Sequence, residues 1–172
     1  MFNVTYVKIA SGNLLWMLFI SLIISTSCQT NSGLKEPPEI YYGEDVCDRC
    51  GMIITEAKHA AAYVTTNGEI RLFDDIGGMI FFNKEHSEEV QKYWAHDFHT
   101  EEWINAEHAF YVVHKEITTP MSYGIIAFLN IQAALIKAAE FDTIAIDFIT
   151  LSSSYLKSGF NKNESMEMSE SN

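Results

Sequence analysis

Two short runs of strand-forming residues meet at Asn67-Gly68: HAAAYVTT before it (residues 59–66) and EIRLF after it (residues 69–73). Asn and Gly both tolerate positive φ, so the pair predicts a type I′ hairpin and therefore an antiparallel sheet. The chain up to residue 151 keeps to the same small scale. Residues 76–83 (IGGMIFFN) suit a short helix entered through a glycine turn, and a strand is predicted over 93–98, after the polar stretch 84–92. Residues 102–106 and 109–114 read as strands, and 118–124 (TTPMSYG) as a turn-rich loop. From 125 to 141 apolar residues recur at helical spacing (Ile125, Phe128, Leu129, Ile131, Leu135, Ile136), predicting one helix. Residues 143–151 alternate through Ile144, Ile146 and Phe148, predicting a strand. Laying residues 78–83 over 124–130 with one insertion suggests an internal repeat. The predicted fold is α+β: two similar small ββαβ modules with antiparallel sheets, roughly residues 45–98 and 99–151.

What precedes the modules reads as an export signal. Residues 14–24 are apolar except for Ser21, too short for a membrane span and of the length of a signal-peptide core. Ser25-Thr26-Ser27 then leads to Cys28, as at the acylation site of a bacterial lipoprotein; the alternative is an ordinary secretory signal with a chance cysteine. The expected organisation is a signal over 1–27, lipidation at Cys28, a polar tether over 28–44 containing Pro37-Pro38, the folded domain over 45–151, and a disordered acidic tail over 152–172. The expected location is the cell envelope, anchored in the lipid bilayer and facing the periplasm. Gln29 is not the Asp associated with inner-membrane retention, which favours the outer membrane.

A net charge of −12 excludes nucleic acid, whose phosphates need clustered cations. The signal carries one cation, Lys8, and no acid, so its removal leaves the chain more acidic still. Lipid rather than charge would have to supply the anchoring.

The chemistry centres on Cys47-Asp48-Arg49-Cys50-Gly51-Met52. Two thiols three residues apart can chelate one metal ion or close a disulfide. Structural zinc would need two further ligands, for which His96 and His99 are isolated candidates. A thioredoxin-like redox pair would open a helix after a buried strand, and the residues here do not. Met52 adds a thioether, a soft ligand that neither protonates nor oxidises to a disulfide, and thiolate with thioether favours Cu(I). Met121, held between Pro120 and Gly124 on a polar loop, is the best distant ligand, whereas Met79 in its apolar run reads as core. Met166 and Met168 in the tail could take up copper only loosely. Asp74 and Asp75, at the entry to the short helix, read as a cap or as support for the metal ligands. No nucleophile elbow, phosphate loop or dinucleotide fingerprint occurs, so no enzymatic activity is expected.

In this order, the Cys28 signal, CDRCGM (47–52), Asn67-Gly68, FDDIG (73–77), Trp103, AFYV (109–112), Thr119-Pro120-Met121 and Gly124 with Ala127-Phe128 resemble the NosL family, the lipoprotein copper chaperones that accompany nitrous oxide reductase. The resemblance implies two ββαβ modules and Cu(I) held by Cys47, Cys50 and Met52, with Met121 as partner. It also implies delivery to a membrane ABC-type maturation complex that serves the reductase's copper centres. Two other functions use the same residues: a lipid-anchored thiol-disulfide protein, and a copper storage or resistance lipoprotein.

Overall fold

The computed structural model describes residues 36–157, which belong to one compact unit. The expected signal, Cys28, Met166, Met168 and the tail beyond 157 lie outside the described residues. Two antiparallel sheets and three helices make a mixed α/β fold. The first sheet has strand order β2-β1-β3-β4, from β1 (Ala61–Thr65), β2 (Ile70–Phe73), β3 (Val90–His96) and β4 (Trp103–Asn105). Helix α1 (Ile76–His86) connects β2 to β3. The second sheet, β6-β5-β7, contains β5 (Phe110–Val113), β6 (Ile125–Phe128) and β7 (Ala145–Asp147). Helix α2 (Ile131–Glu140) connects β6 to β7, and α3 (Phe148–Lys157) follows β7 directly.

β1 is central because it has no polar face: all five of its residues are buried. Tyr63 lies between Phe73 and Tyr93, with ring centroids 5.4 and 5.7 Å away, and its hydroxyl donates to Glu88. α1 opens with six buried residues, from Ile76 to Phe81, so its first turns run through the interior rather than along the surface. One apolar cluster joins Cys47, Ile54, Tyr63, Phe73, Met79, Tyr111, Ile125 and Leu151, so the cysteine loop and both sheets share a core.

Several expectations need correction. The hairpin after β1 is not a two-residue type I′ turn. Thr65 N donates to Glu69 O at 2.9 Å, and of the central pair only Gly68 has positive φ (+88°). The loop is therefore Thr66-Asn67-Gly68, the three-residue form that ends in a glycine bulge. The helix predicted over 125–141 is a strand followed by a helix. Ile125 to Phe128 are wholly buried, and Asn130 ends the run by accepting the Gln132 N–H at 2.7 Å as N-cap. The strand predicted over 143–151 stops at Asp147, whose Oδ1 accepts the Thr150 N–H at 2.7 Å as α3 begins. α3 carries the chain past Ser152, where the polar tail was expected to start. The proposed repeat pairs a helix (78–83) with a strand (125–128), so that overlay fails. β4, assigned by sequence to the second module, pairs with β3 in the first sheet.

Asp97 joins the two sheets. Its neighbour Phe98 donates to Ala127 O at 2.8 Å, while its own carboxylate accepts N–H groups from Leu129 (2.8 Å), His99 and Thr100 (both 2.9 Å). Burial alone would push this carboxyl up, but the Leu129, Thr100 and His99 donors together hold it below its usual range. Asp97→Ala strands three donors and should cost about 3 kcal/mol, read as a lower denaturant midpoint. A depressed folded-state pKa contributes stability that is complete above the unfolded value of ~3.9 and is lost as pH falls through the folded one. Below about pH 4 the wild type should therefore lose stability more steeply than Asp97→Asn.

Candidate functional site

The cysteine loop is closed by its own backbone. Cys47 N donates to Met52 O (2.8 Å) and Gly51 N to Cys47 O (2.9 Å), with Gly51 at φ +73° making the reversal. Val46 and Ile53 bridge at its base. Asp48 fastens it to the edge of β2, its N–H donating to Leu72 O (2.8 Å) and its carboxylate accepting Leu72 N–H (2.7 Å). Both thiols are therefore held over the end of β2, where Asp74 follows.

Cys47 Sγ, Cys50 Sγ and an Asp74 carboxylate oxygen all lie within 4.8 Å of one another. Both cysteines are free thiols, and Cys50 donates to Asp74 Oδ2 at 3.5 Å. Cys47 is 1% exposed, and burial pushes its thiol up to about 12, with the backbone N–H groups of Asp74, Cys50 and Arg49 pulling the other way. Asp74 is itself buried, and its Oδ1 has no hydrogen-bond partner among the described residues. An orphaned buried acceptor beside two thiols is what a bound cation would satisfy. His96 and His99 do not join this group. His96 instead contacts the Tyr42 hydroxyl and Ala60 O, and its ring lies 3.7 Å from that of Trp103.

Asp75, entirely buried, works in the other direction. Oδ1 caps α1 by accepting Gly77 N–H (2.9 Å), and Oδ2 accepts the Thr119 hydroxyl (2.6 Å) and Met121 N–H (3.1 Å). The adjacent acids thus have separate tasks: Asp74 faces the thiols, and Asp75 ties the distant Thr119-Pro120-Met121 loop to the helix beside them. Asp75→Ala should cost about 3 kcal/mol through the lost cap and the freed loop, with faster amide exchange at Met121 as its local signature.

Met121 reaches the neighbourhood of the cysteines, lining one cleft with Asp48 and Arg49, the two residues between them, and with Tyr123 and Glu85. Met52 ends the cysteine loop and is 48% exposed. Met79 is wholly buried in the core, as its sequence context indicates. The sequence reading missed Arg49 and Tyr123, which bond to each other across the cleft. It also missed the paired glycines of α1 on which Tyr123 and Met121 rest. Two adjacent glycines inside an apolar helical run are the signal that pointed there, since they mark close approach of another segment.

A NosL family model matches residues 40–148. The chain belongs to the NosL family. Among solved structures it is similar to the copper chaperone NosL from Shewanella denitrificans, at 20% identity and a TM-score of 0.58, covering 67% of this chain and 94% of that one. No curated protein matches the sequence. The NosL match contains the cysteine loop, both aspartates and the Met121 loop, and it ends as α3 begins.

Proposed function

We propose that this protein is a copper chaperone that binds Cu(I) at the cysteine loop and passes it on. The carrying observation is the convergence of two free thiols and the orphaned Asp74 carboxylate, with two methionines within the same pair of loops. Cys47 and Cys50 supply thiolates, Met52 and Met121 the thioethers, and Asp74 takes up the charge or hydrogen bonding left over. Family membership and the solved chaperone neighbour support this reading. The thiol-disulfide alternative would use Cys47 and Cys50 alone and has no need of a methionine in the cleft beside them.

In the fuller form of the proposal, acylation at Cys28 anchors the chain in the envelope facing the periplasm, at the outer membrane in preference to the inner. Two ββαβ units, β1-β2-α1-β3 and β5-β6-α2-β7, would flank the site. Copper passes to a membrane ABC-type maturation complex and, through it, to the copper centres of nitrous oxide reductase. A few-coordinate soft site allows transfer by ligand exchange, an incoming ligand adding before a thioether leaves. X-ray absorption of the Cu(I)-loaded protein tests the ligand set. A sulfur-dominated shell that loses a scatterer in Cys50→Ser supports it, and a nitrogen- or oxygen-dominated shell contradicts it. A storage protein would share this shell but fail to release copper to the maturation complex.

A further inference from the structure

We infer that Arg49 is a positioning residue for copper retention, clipping the cysteine loop to the 119–124 loop and so holding the Met121 thioether in reach of the metal. The inference rests on the copper reading above and assigns a role within that same site. Arg49 stands between the two cysteines, and its side chain runs across α1. Its Nη1 and Nη2 donate to the Glu85 carboxylate at 2.6 and 3.0 Å, and its Nε donates to the Tyr123 hydroxyl at 3.2 Å. The guanidinium lies 5.4 Å from the Phe81 ring centroid, and Tyr123 stacks on the same ring at 5.2 Å.

The paired glycines of α1 make room for this arrangement. A Cβ at Gly77 would fall 2.2 Å from Tyr123 Cγ, so the tyrosine ring rests directly on the helix backbone. A Cβ at Gly78 would meet Met121 Sδ at 3.2 Å and Arg49 Cδ at 3.6 Å. Thioether and arginine stem therefore share the notch that glycine leaves. Met121 is held from below through its N–H on Asp75, and the loop is held beyond it through Tyr123 on Arg49. A thioether is a weak ligand, and its worth as a third donor depends on its being in place before the metal arrives. Arginine suits the task because its planar fork serves Glu85 and Tyr123 together, which an ammonium group cannot do in the same way.

The test is stopped-flow release of Cu(I) from the full chain to bathocuproine disulfonate, with melting temperatures measured alongside. Arg49→Gln should speed release roughly tenfold, the factor that loss of a charge-assisted hydrogen-bond pair commonly brings. Arg49→Lys should fall between that variant and the wild type. In a Met121→Ala background Arg49→Gln should add nothing, and X-ray absorption should show one sulfur fewer in Arg49→Gln. Tyr123→Phe, which keeps the ring, should speed release in the same direction. Glu85→Ala separates positioning from simple charge. Positioning predicts faster release, whereas a guanidinium freed to stabilise the thiolates would slow it. Release that is indifferent to Arg49 and Tyr123, equal effects with and without Met121, or slower release in Glu85→Ala overturns the inference while leaving the copper site standing. A wild type that binds no Cu(I) tightly overturns both.

Discussion

Gly77→Ala is expected to destabilise the protein by about 3 kcal/mol, at the upper end of what forced over-packing costs, and to lift the 119–124 loop off α1. The new methyl would sit 2.2 to 2.5 Å from three carbons of Tyr123, whose ring stacks on Phe81 and whose hydroxyl is held by Arg49. Relief requires the ring to leave, and the backbone that carries Met121 leaves with it. Gly78→Ala, one residue on, should behave differently. Its contact is with the Met121 sulfur at 3.2 Å, the end of a flexible side chain that can yield. The gain in helix propensity, up to ~1 kcal/mol, offsets the crowding, so stability should scarcely change. Thermal denaturation of the two variants side by side checks the ranking. Equal destabilisation would mean that the loop is not seated on Gly77 as described.

Cys47→Ser should reduce Cu(I) affinity by at least about a thousandfold, beyond the ~10–100-fold that loss of a supporting residue brings. Cys47 is 1% exposed and lies within 4.8 Å of Cys50 and Asp74, so bulk water cannot take its place at the metal. Cys50→Ser should match it. Asp74→Ala reads out the role of that residue. A loss of ~10–100-fold marks a carboxylate that supports the thiolates, and a loss equal to that of the cysteines marks a direct ligand. Anaerobic competition for Cu(I) measures all three. A Cys47→Ser variant that kept wild-type affinity would move the metal away from the cysteine loop altogether.

Much of this site was legible in the sequence because its parts are local. The CxxC spacing, the Asp75 cap and the first hairpin each depend on residues a few positions apart. Met121 was singled out for another reason, as a large apolar side chain on a polar loop between Pro120 and Gly124, and it lines the cleft beside Asp48 and Arg49. The errors came where local patterns are ambiguous. Ile125-Ile126-Ala127-Phe128 is a continuous apolar run that fits a buried strand or a buried helix equally, and only its position beside β5 decides. Ile144, Ile146 and Phe148 alternate like a strand, yet Asp147 caps a helix within that stretch. Arg49 could not be found by any local rule, because its partners Glu85 and Tyr123 lie 36 and 74 residues away. The separate roles of Asp74 and Asp75 likewise emerge only when residues 119–121 come to rest beside the helix.

The central claim is that two loops far apart in sequence form one soft-metal site. An anaerobic Cu(I) competition titration of the wild type beside Met52→Ala and Met121→Ala tests it most directly. The account predicts one tight Cu(I) per chain, with affinity lowered by at least one of the two methionine changes. No tight copper, or binding indifferent to both methionines, would contradict it and leave Cys47 and Cys50 as a dithiol whose reduction potential becomes the quantity to measure.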